Sequence, residues 1–386
     1  MNKIRVFESF SGYGSQSTSL KYLGIDYEVV AISEINKYAI QGYEALHGKV
    51  NNLGDISKIK VEDIPQHDLF TYSFPCQDIS VAGKINGIIK GQTRSGLLYE
   101  CEKVIEYCRP KYLLLENVKN LVGKKFKPQF DEWLKYLESL GYTNYWQVLN
   151  AKNYGVPQNR ERVFVVSILG EHEPYEFPKP IALDKCITDI LEDEVDEKYY
   201  IDKPFDLVTN GHQISIPQAT KKGYIEMDLP GVCDLSYPTS KTRRGRVQEN
   251  GKVSPTLTAS SQDICYIEYN GEMVNLPCIA ASRARNPENP SDRSAGMPKE
   301  QRLEFNTKGT SNTLTRVQKD NYVVEKSYRI RKLTPKECFR LMGLKDDDID
   351  KIQQTGMSDS QQYKMAGNSI VVNVLEGIFR NLFVKK

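Results

Sequence analysis

The chain of 386 residues carries 52 Lys and Arg against 50 Asp and Glu, a net charge of +2, so it has room for a catalytic domain with an insertion and lacks the global basic field that would announce a nucleic-acid partner. No apolar run approaches the roughly 20 residues that span a bilayer, and Met1-Asn2-Lys3-Ile4-Arg5 leads straight into a strand without a signal-peptide core, which predicts a cytoplasmic protein with no membrane contact. Eight cysteines without a Cys-x-x-Cys pair and four unclustered histidines argue against disulfides in a reducing compartment and against a bound metal.

Lys3 to Phe7 reads as a buried strand that runs into Phe10-Ser11-Gly12-Tyr13-Gly14-Ser15, after which Gln16 to Leu23 has helical character. Strand, glycine loop and helix in that order form a place where the backbone approaches a ligand closely. Glu34, just past a second strand from Glu28 to Ile32, stands 20 residues after Gly14 and is placed to hold ribose hydroxyls. The third glycine of the dinucleotide fingerprint is missing, with Ser15 and Gln16 following Gly14 instead. That argues against NAD and fits a ligand without a pyrophosphate, such as S-adenosylmethionine. Asp55-Ile56 follows in Leu53-Gly54-Asp55-Ile56, where a turn aspartate is the alternative reading.

A short apolar strand, Asp68 to Tyr72, precedes Ser73-Phe74-Pro75-Cys76-Gln77-Asp78-Ile79-Ser80. Pro75 cannot continue a paired strand, so Cys76 sits on a loop at a strand's carboxyl end, the edge where open α/β sheets bind ligands. A loop thiol kept near polar groups can act as a nucleophile, whereas a lone cysteine is more often a packed structural one. Phe74-Pro75-Cys76-Gln77 resembles the catalytic loop of the DNA cytosine methyltransferases that modify carbon 5 of the ring.

Further elements resemble the same family in the same order. Phe10-Ser11-Gly12-Tyr13-Gly14 is similar to its Phe-x-Gly-x-Gly element, and Asp55-Ile56 matches its adenine-contacting pair. Arg94-Ser95-Gly96-Leu97-Leu98-Tyr99 opens a helix through Tyr107, and an apolar strand from Lys111 to Leu115 ends in Glu116-Asn117-Val118, a triplet the family also carries. A helix around Phe130 to Leu140 and a strand from Tyr145 to Leu149 lead to Gln158-Asn159-Arg160-Glu161-Arg162, similar to the family's Gln-x-Arg-x-Arg. Arg160 and Arg162, at period two, point to one side of the strand they begin. Near the end, Thr334 caps a helix with Pro335 at its first position and Glu337 completing a capping box. Gly367-Asn368-Ser369-Ile370 then precedes a closing helix, Val371 to Phe379, and resembles the last motif, which returns to the cofactor pocket.

From about Glu171 to Ser327 the texture turns to proline, glycine, asparagine and charge without βα alternation. Basic residues gather there at Lys241, Arg243, Arg244 and Arg246 and again at Arg283, Arg285 and Arg293, a local patch for phosphates. An internal echo pairs Ser254-Pro255-Thr256-Leu257-Thr258 with Ser311-Asn312-Thr313-Leu314-Thr315, and the strand-like runs that end each copy, Cys265 to Ile267 and Tyr322 to Val324, suggest a paired β element.

The resemblance implies an α/β fold with a doubly wound Rossmann-like methyltransferase sheet and a second, smaller, irregular β-rich target-recognition domain. The expected boundaries are 1–175 for the catalytic and cofactor-binding domain, 176–327 for target recognition, 328–360 for a hinge region, and 361–386 for a terminal helix returning to the first domain. It implies S-adenosylmethionine as cofactor, held by Phe10, Gly12, Gly14, Glu34, Ile35, Asp55, Ile56, Pro75, Leu97, Asn368 and Ser369. Cys76 would add to carbon 6 of cytosine, Glu116 would meet ring nitrogen 3 and the exocyclic amine, and Arg162, with Arg160 beside it, would hold the ring's carbonyl oxygen.

The partner would be double-stranded DNA with the target base flipped out. Gln77, Ser80, Arg243, Arg244, Thr256, Arg283, Arg285 and Thr313 are the expected contacts, with Thr313-Leu314 preferred over Thr256-Leu257 as the base-reading pair. Ala82 replaces a serine that some members use near the vacated base position, which leaves open what fills the gap. A monomer is expected, and a cognate restriction endonuclease acting separately is compatible with this reading. The family's RNA branch, which methylates transfer RNA, is the alternative; it usually lacks so long an insertion.

Overall fold

The structure, a computed structural model, describes residues 3–76, 78–79, 88–89, 91–201, 208–210, 213–237, 240, 242–259, 264–269, 278–285, 300–306, 321–324 and 328–384. For 208–210, 269, 278–285, 300–306, 321–324 and 328 the description is of backbone only.

Strands β1 (Ile4–Ser9), β2 (Tyr27–Ser33), β3 (Leu69–Tyr72), β4 (Tyr112–Val118), β5 (Tyr142–Asn150) and β6 (Glu161–Leu169) build one sheet in the order β2-β1-β3-β4-β6-β5. β1 lies parallel to β2 and β3, and β3 to β4, whereas β6 runs antiparallel to both β4 and β5. Side chains alternate along each strand, so the sheet buries two faces. Val6, Leu69, Leu114, Phe164 and Val166 belong to one core, and Phe7, Phe70, Leu113, Leu115, Val163 and Val165 to the other.

Helices α1 (Ser15–Tyr22), α5 (Pro335–Arg340), α6 (Asp346–Gln354), α7 (Asp359–Asn368) and α8 (Val372–Phe379) supply the first core, and α3 (Leu98–Cys108) and α4 (Lys127–Ser139) the second. The sheet is therefore covered on both sides, as the doubly wound fold requires. Three helices escaped the sequence reading, α7 among them. α2 (Lys37–His47) starts at Asn36, whose side chain accepts from the backbone of Tyr38 and Ala39, and α6 opens on three aspartates that suit a helix N-terminus. The capping box at α5 is present, with Glu337 Oε2 accepting from Thr334 N at 2.8 Å. The helix stops at Arg340, and Gly343 turns the chain in the left-handed region.

The remaining strands form three small sheets. β7 (Val208–Asn210), β8 (Gln213–Pro217) and β9 (Tyr224–Asp228) make one, and β10 (Gly231–Asp234), β11 (Ile264–Tyr269) and β15 (Tyr328–Lys332) a second. β12 (Cys278–Arg285), β13 (Glu300–Asn306) and β14 (Asn321–Val324) make the third. Among the described residues the two echo strands do not pair with each other. β11 is central, with β10 and β15 on its two edges, and β14 pairs with β12. β11 is held in that place because Ile264 and Tyr266 join the main core while Cys265 and Ile267 join a separate small one. β15, read from sequence as the start of a hinge, is thus a strand of this sheet.

Candidate active site

The parallel strands β1, β2, β3 and β4 send their following loops to one edge of the sheet. Because β6 is antiparallel, its start reaches the same edge, and Arg162 pairs in register with Val118. One cleft of about 350 Å³ results. It is lined by Cys76, Glu116, Arg160 and Arg162 together with Phe10, Gly12, Glu34, Ile35, Asp55, Ile56, Pro75, Leu97, Asn368 and Ser369. Of the expected catalytic and cofactor residues only Gly14 is not in the lining. It stands behind as the N-cap of α1 with φ +82, where a Cβ would lie 2.7 Å from both His47 and Tyr43.

The loop bearing Cys76 is pinned from neighbouring elements. Ser95 Oγ donates to the carbonyl of Pro75 at 2.6 Å, Asn117 Nδ2 to that of Phe74 at 3.0 Å, and Asn120 Nδ2 to that of Ile79 at 2.6 Å. Asp78 Oδ2 accepts from Ser95 N at 3.1 Å. Ser95, Asn117 and Asn120 were not singled out as functional. An amide or hydroxyl beside a motif residue gives no local sign of which distant carbonyl it meets. Gln77, Ser80 and Ala82 lie outside the described residues.

Arg162 Nε lies 3.2 Å from Glu116 Oε1. Burial pushes the Glu116 carboxyl above its usual range, and the charges of Arg162 and Arg160 pull it back. Burial likewise raises the Cys76 thiol, the Glu116 carboxylate raises it further, and Arg162 opposes both. Cys76 and Glu116 therefore compete for one guanidinium: a proton on Glu116 removes the charge that disfavours the thiolate.

Arg160 occupies a different position from the one expected of a base-contacting catalytic residue. It is buried, and its guanidinium donates to the carbonyls of Leu257 at 2.7 Å, Gly367 at 3.0 Å and Ser369 at 2.8 Å. Three of its hydrogen bonds thus go to backbone oxygens, while its buried Nε has no hydrogen-bond partner among the described residues. In the same segment Thr256 Oγ1 donates to the carbonyl of Asn159 at 2.5 Å, while Leu257 N donates to Gln158 Oε1 at 3.2 Å. Thr256-Leu257 is thereby packed on the Gln158–Arg162 element, its hydroxyl proton already used.

On the glycine-loop side, Glu34 Oε2 accepts from Gly12 N at 3.0 Å and Oε1 from Ile35 N and Asn36 N at 2.9 and 2.8 Å. Gly12 has φ +58, and nothing lies within 4 Å of where a Cβ would stand. Ser11 Oγ is buried without a hydrogen-bond partner among the described residues, and Ile35 is 72% exposed at the cleft. Open backbone, an orphaned hydroxyl, an apolar platform and two carboxylates suit an uncharged sugar with an attached flat base. Asn36, Gln361 and Lys364 also line the cleft and had not been picked out.

The basic patch is partly committed to the fold. Arg243 meets Asp234 Oδ2 through Nη2 at 2.6 Å, Arg244 Nε donates to the carbonyl of Ala219 at 3.0 Å, and Arg246 is buried. Arg283 and Arg285 lie on β12 without described side chains, and Thr313 lies outside the described residues. Among the described residues no three His, Cys, Asp or Glu side chains gather as a metal site, and no helix is long and apolar enough to cross a membrane.

The sequence model described as C-5 cytosine-specific DNA methylase matches residues 4–384. The chain is 34% identical over 440 residues to the Type II methyltransferase M2.ScrFI of Lactococcus lactis subsp. cremoris, covering 98% of this chain and 99% of that one. It is 32% identical over 458 residues to the orphan methyltransferase M.SPBetaI of Bacillus phage SPbeta, covering 99% and 98%. In fold it is similar to the Entamoeba histolytica methyltransferase EhMeth, with a TM-score of 0.64 at 19% identity over the whole of both chains. It is also similar to S. pombe Dnmt2, with a TM-score of 0.60 at 18% identity over 99% of each.

Proposed function

This chain belongs to the C-5 cytosine-specific DNA methylase family, and from that membership we propose that it transfers a methyl group from S-adenosylmethionine to carbon 5 of a flipped-out cytosine in a specific double-stranded DNA sequence, through a covalent Cys76 adduct at carbon 6. The observation that carries the reading is that Cys76, Glu116 and Arg162 line one cleft with the glycine loop and Glu34.

The cleft fits the cofactor. Glu34 and Asp55 offer carboxylates to its sugar and base, Ile35 an apolar face, Gly12 open backbone, and Asn368 and Ser369 close the opposite wall. When bound there, S-adenosylmethionine supplies an electrophilic methyl on a sulfonium sulfur.

Carbon 5 of cytosine is a poor nucleophile until a group adds to carbon 6. The Cys76 sulfur forms that bond, and the displaced electron pair moves toward ring nitrogen 3. Glu116, whose burial raises its carboxyl and so favours the protonated form, donates its proton to that nitrogen, and Arg162 faces the charge that builds on the ring's carbonyl oxygen. A proton on Glu116 favours the Cys76 thiolate before attack, and once the sulfur's charge has passed into the ring Glu116 gives that proton to nitrogen 3 without facing a thiolate. After methylation a solvent base takes the carbon 5 proton, nitrogen 3 returns its proton to the Glu116 carboxylate, the bond between carbons 5 and 6 becomes double again, and the sulfur leaves with the bonding pair. Neither face of a stacked base is reachable inside a duplex, so the base is flipped out.

The Type II name of M2.ScrFI supports a place in a restriction–modification system, with a cognate endonuclease acting separately inside the cell. Residues 176–327 supply target recognition in this reading. Incubating the protein with tritiated S-adenosylmethionine and either duplex DNA or transfer RNA tests it. Label should enter DNA at cytosine, and Cys76→Ser should lose transfer by about three orders of magnitude while still binding the cofactor. Label in transfer RNA alone refutes the DNA assignment, and a serine variant keeping a tenth of the rate refutes the covalent step.

A further inference from the structure

Between β10 and Val247 the chain is braced more heavily than a surface turn requires. Arg246 is 1% exposed and donates through Nη1 to the carbonyls of Asp234 and Ser236 at 2.8 and 2.6 Å, and through Nη2 to that of Tyr237 at 2.6 Å. Asp234 Oδ1 accepts from Ser236 N at 2.8 Å, and its Oδ2 from Arg243. Burying a guanidinium is costly unless its donors are satisfied. Three charge-assisted bonds here fix one short stretch of backbone.

What that stretch presents is Tyr237. Leu235 and Ser236 before it are buried, yet the Tyr237 ring is 72% exposed and its φ is +47, a region that side-chain-bearing residues rarely adopt. Among the described residues the ring's partner is the Arg243 guanidinium, 5.6 Å from its centre, and no packing gain among them explains the strain. The surroundings are cationic. Ala219 N donates to the Arg243 carbonyl at 3.0 Å and Arg244 to that of Ala219, which seats the β8–β9 turn, with exposed Lys221 and Lys222, beside the loop.

The loop is also joined to the active site. Gln248 Nε2 donates to the carbonyl of Gly245 at 2.8 Å, and Gln248 Oε1 accepts at 2.8 Å from Asn159, the neighbour of Arg160.

We propose that Tyr237 is a specificity-determining contact to duplex DNA: its ring, held rigidly outward, lies against a base or deoxyribose beside the target cytosine, while Arg244, Lys221 and Lys222 hold the flanking phosphates. The proposal rests on the DNA reading above and adds a residue to it. Aromatic contact to bases is worth roughly ten- to hundredfold in affinity.

The test uses the full chain with S-adenosylmethionine on a random-sequence duplex library read by bisulfite sequencing, alongside Tm and cofactor affinity. In Tyr237→Gly, and in Tyr237→Asn as a second residue tolerant of positive φ, Tm and cofactor affinity should hold or rise. Methylation should fall at least tenfold or its sequence preference broaden. Unchanged rate and preference overturn the proposal, as does a joint loss of Tm and cofactor affinity in both variants, which makes the ring structural. A wild-type protein that labels no DNA is seen before any variant is made; it refutes the functional reading and takes this proposal with it.

Discussion

Arg160 Nη2 donates to the carbonyl of Ser369 at 2.8 Å, across 209 positions of sequence. The same guanidinium holds Gly367 and Leu257, so one buried cation ties the start of β6, the end of α7 and the segment after the recognition strands into a single wall of the cleft. Leaving a buried carbonyl unpaired costs about 1–3 kcal/mol. Arg160→Met should therefore lower stability by several kcal/mol and weaken cofactor binding together, with Arg160→Lys intermediate. Urea unfolding and cofactor titration check this, and a stable Arg160→Met variant with full cofactor affinity and no activity would instead make Arg160 a catalytic contact.

Gly367 is where α7 meets Thr258 without room to spare. A Cβ there would stand 2.1 Å from the Thr258 carbonyl oxygen and 2.7 Å from Ala259 N, both backbone atoms. Gly367→Ala should push the two segments apart and loosen Asn368 and Ser369 against the cofactor. The expected outcome is a cofactor affinity lower by tenfold or more with a reduced Tm, measured by calorimetry. Gly12→Ala is the contrast: no atom lies within 4 Å of its Cβ position, so any loss there comes from φ +58 or from the ligand itself.

The coupling of Cys76 to Glu116 has a signature that needs no substrate. Burial comes first and the Glu116 charge second in raising the thiol above its ordinary value of 9.0. Replacing the carboxylate by a neutral amide removes the second cause. The pH at which Cys76 becomes reactive to an alkylating reagent should lie above 9 in the wild type and shift downward in Glu116→Gln. Methylation by that variant should nevertheless fall roughly 10²- to 10⁴-fold, because the proton for ring nitrogen 3 is gone. An unshifted alkylation profile would show that the two groups do not share a charge.

Glu8, behind the glycine loop, is fully buried; Oε1 accepts from Ser17 at 2.7 Å and Oε2 has no partner among the described residues. Burial pushes its carboxyl up from 4.5 to about 7. A group raised in the folded state is stabilising relative to its charged form below the unfolded value, and that stability is lost as pH climbs through the folded one. The loss should therefore fall between pH 4.5 and about 7 and amount to something on the order of 3 kcal/mol. Glu8→Gln abolishes it, so the Tm difference between variant and wild type should grow in the variant's favour from pH 5 to pH 8. A difference that is flat across that range would mean Glu8 is ionised in the fold.

The order of the catalytic elements was legible in the sequence because each depends on near neighbours. Apolar runs in β1, β3 and β4 mark strands buried on two faces, Pro75 ends a strand, Gly12 and Gly14 permit a left-handed turn, and Thr334 with Glu337 closes a capping box. The residues those signals flank, Cys76, Glu116, Arg162 and the glycine loop, line one cleft. What only the tertiary structure decided is how the arginines and polar side chains are spent. Arg160 and Arg162 stand two apart at the start of one strand, yet one is bound by three distant carbonyls and the other faces Glu116. Arg243, Arg244 and Arg246 read as one basic cluster, but Asp234, Ala219 and the Tyr237 loop take up their donors to different degrees. A hydrogen bond is set by geometry within about 3 Å and is blind to separation along the chain, so no local pattern tells a cation that braces a loop from one left to meet DNA.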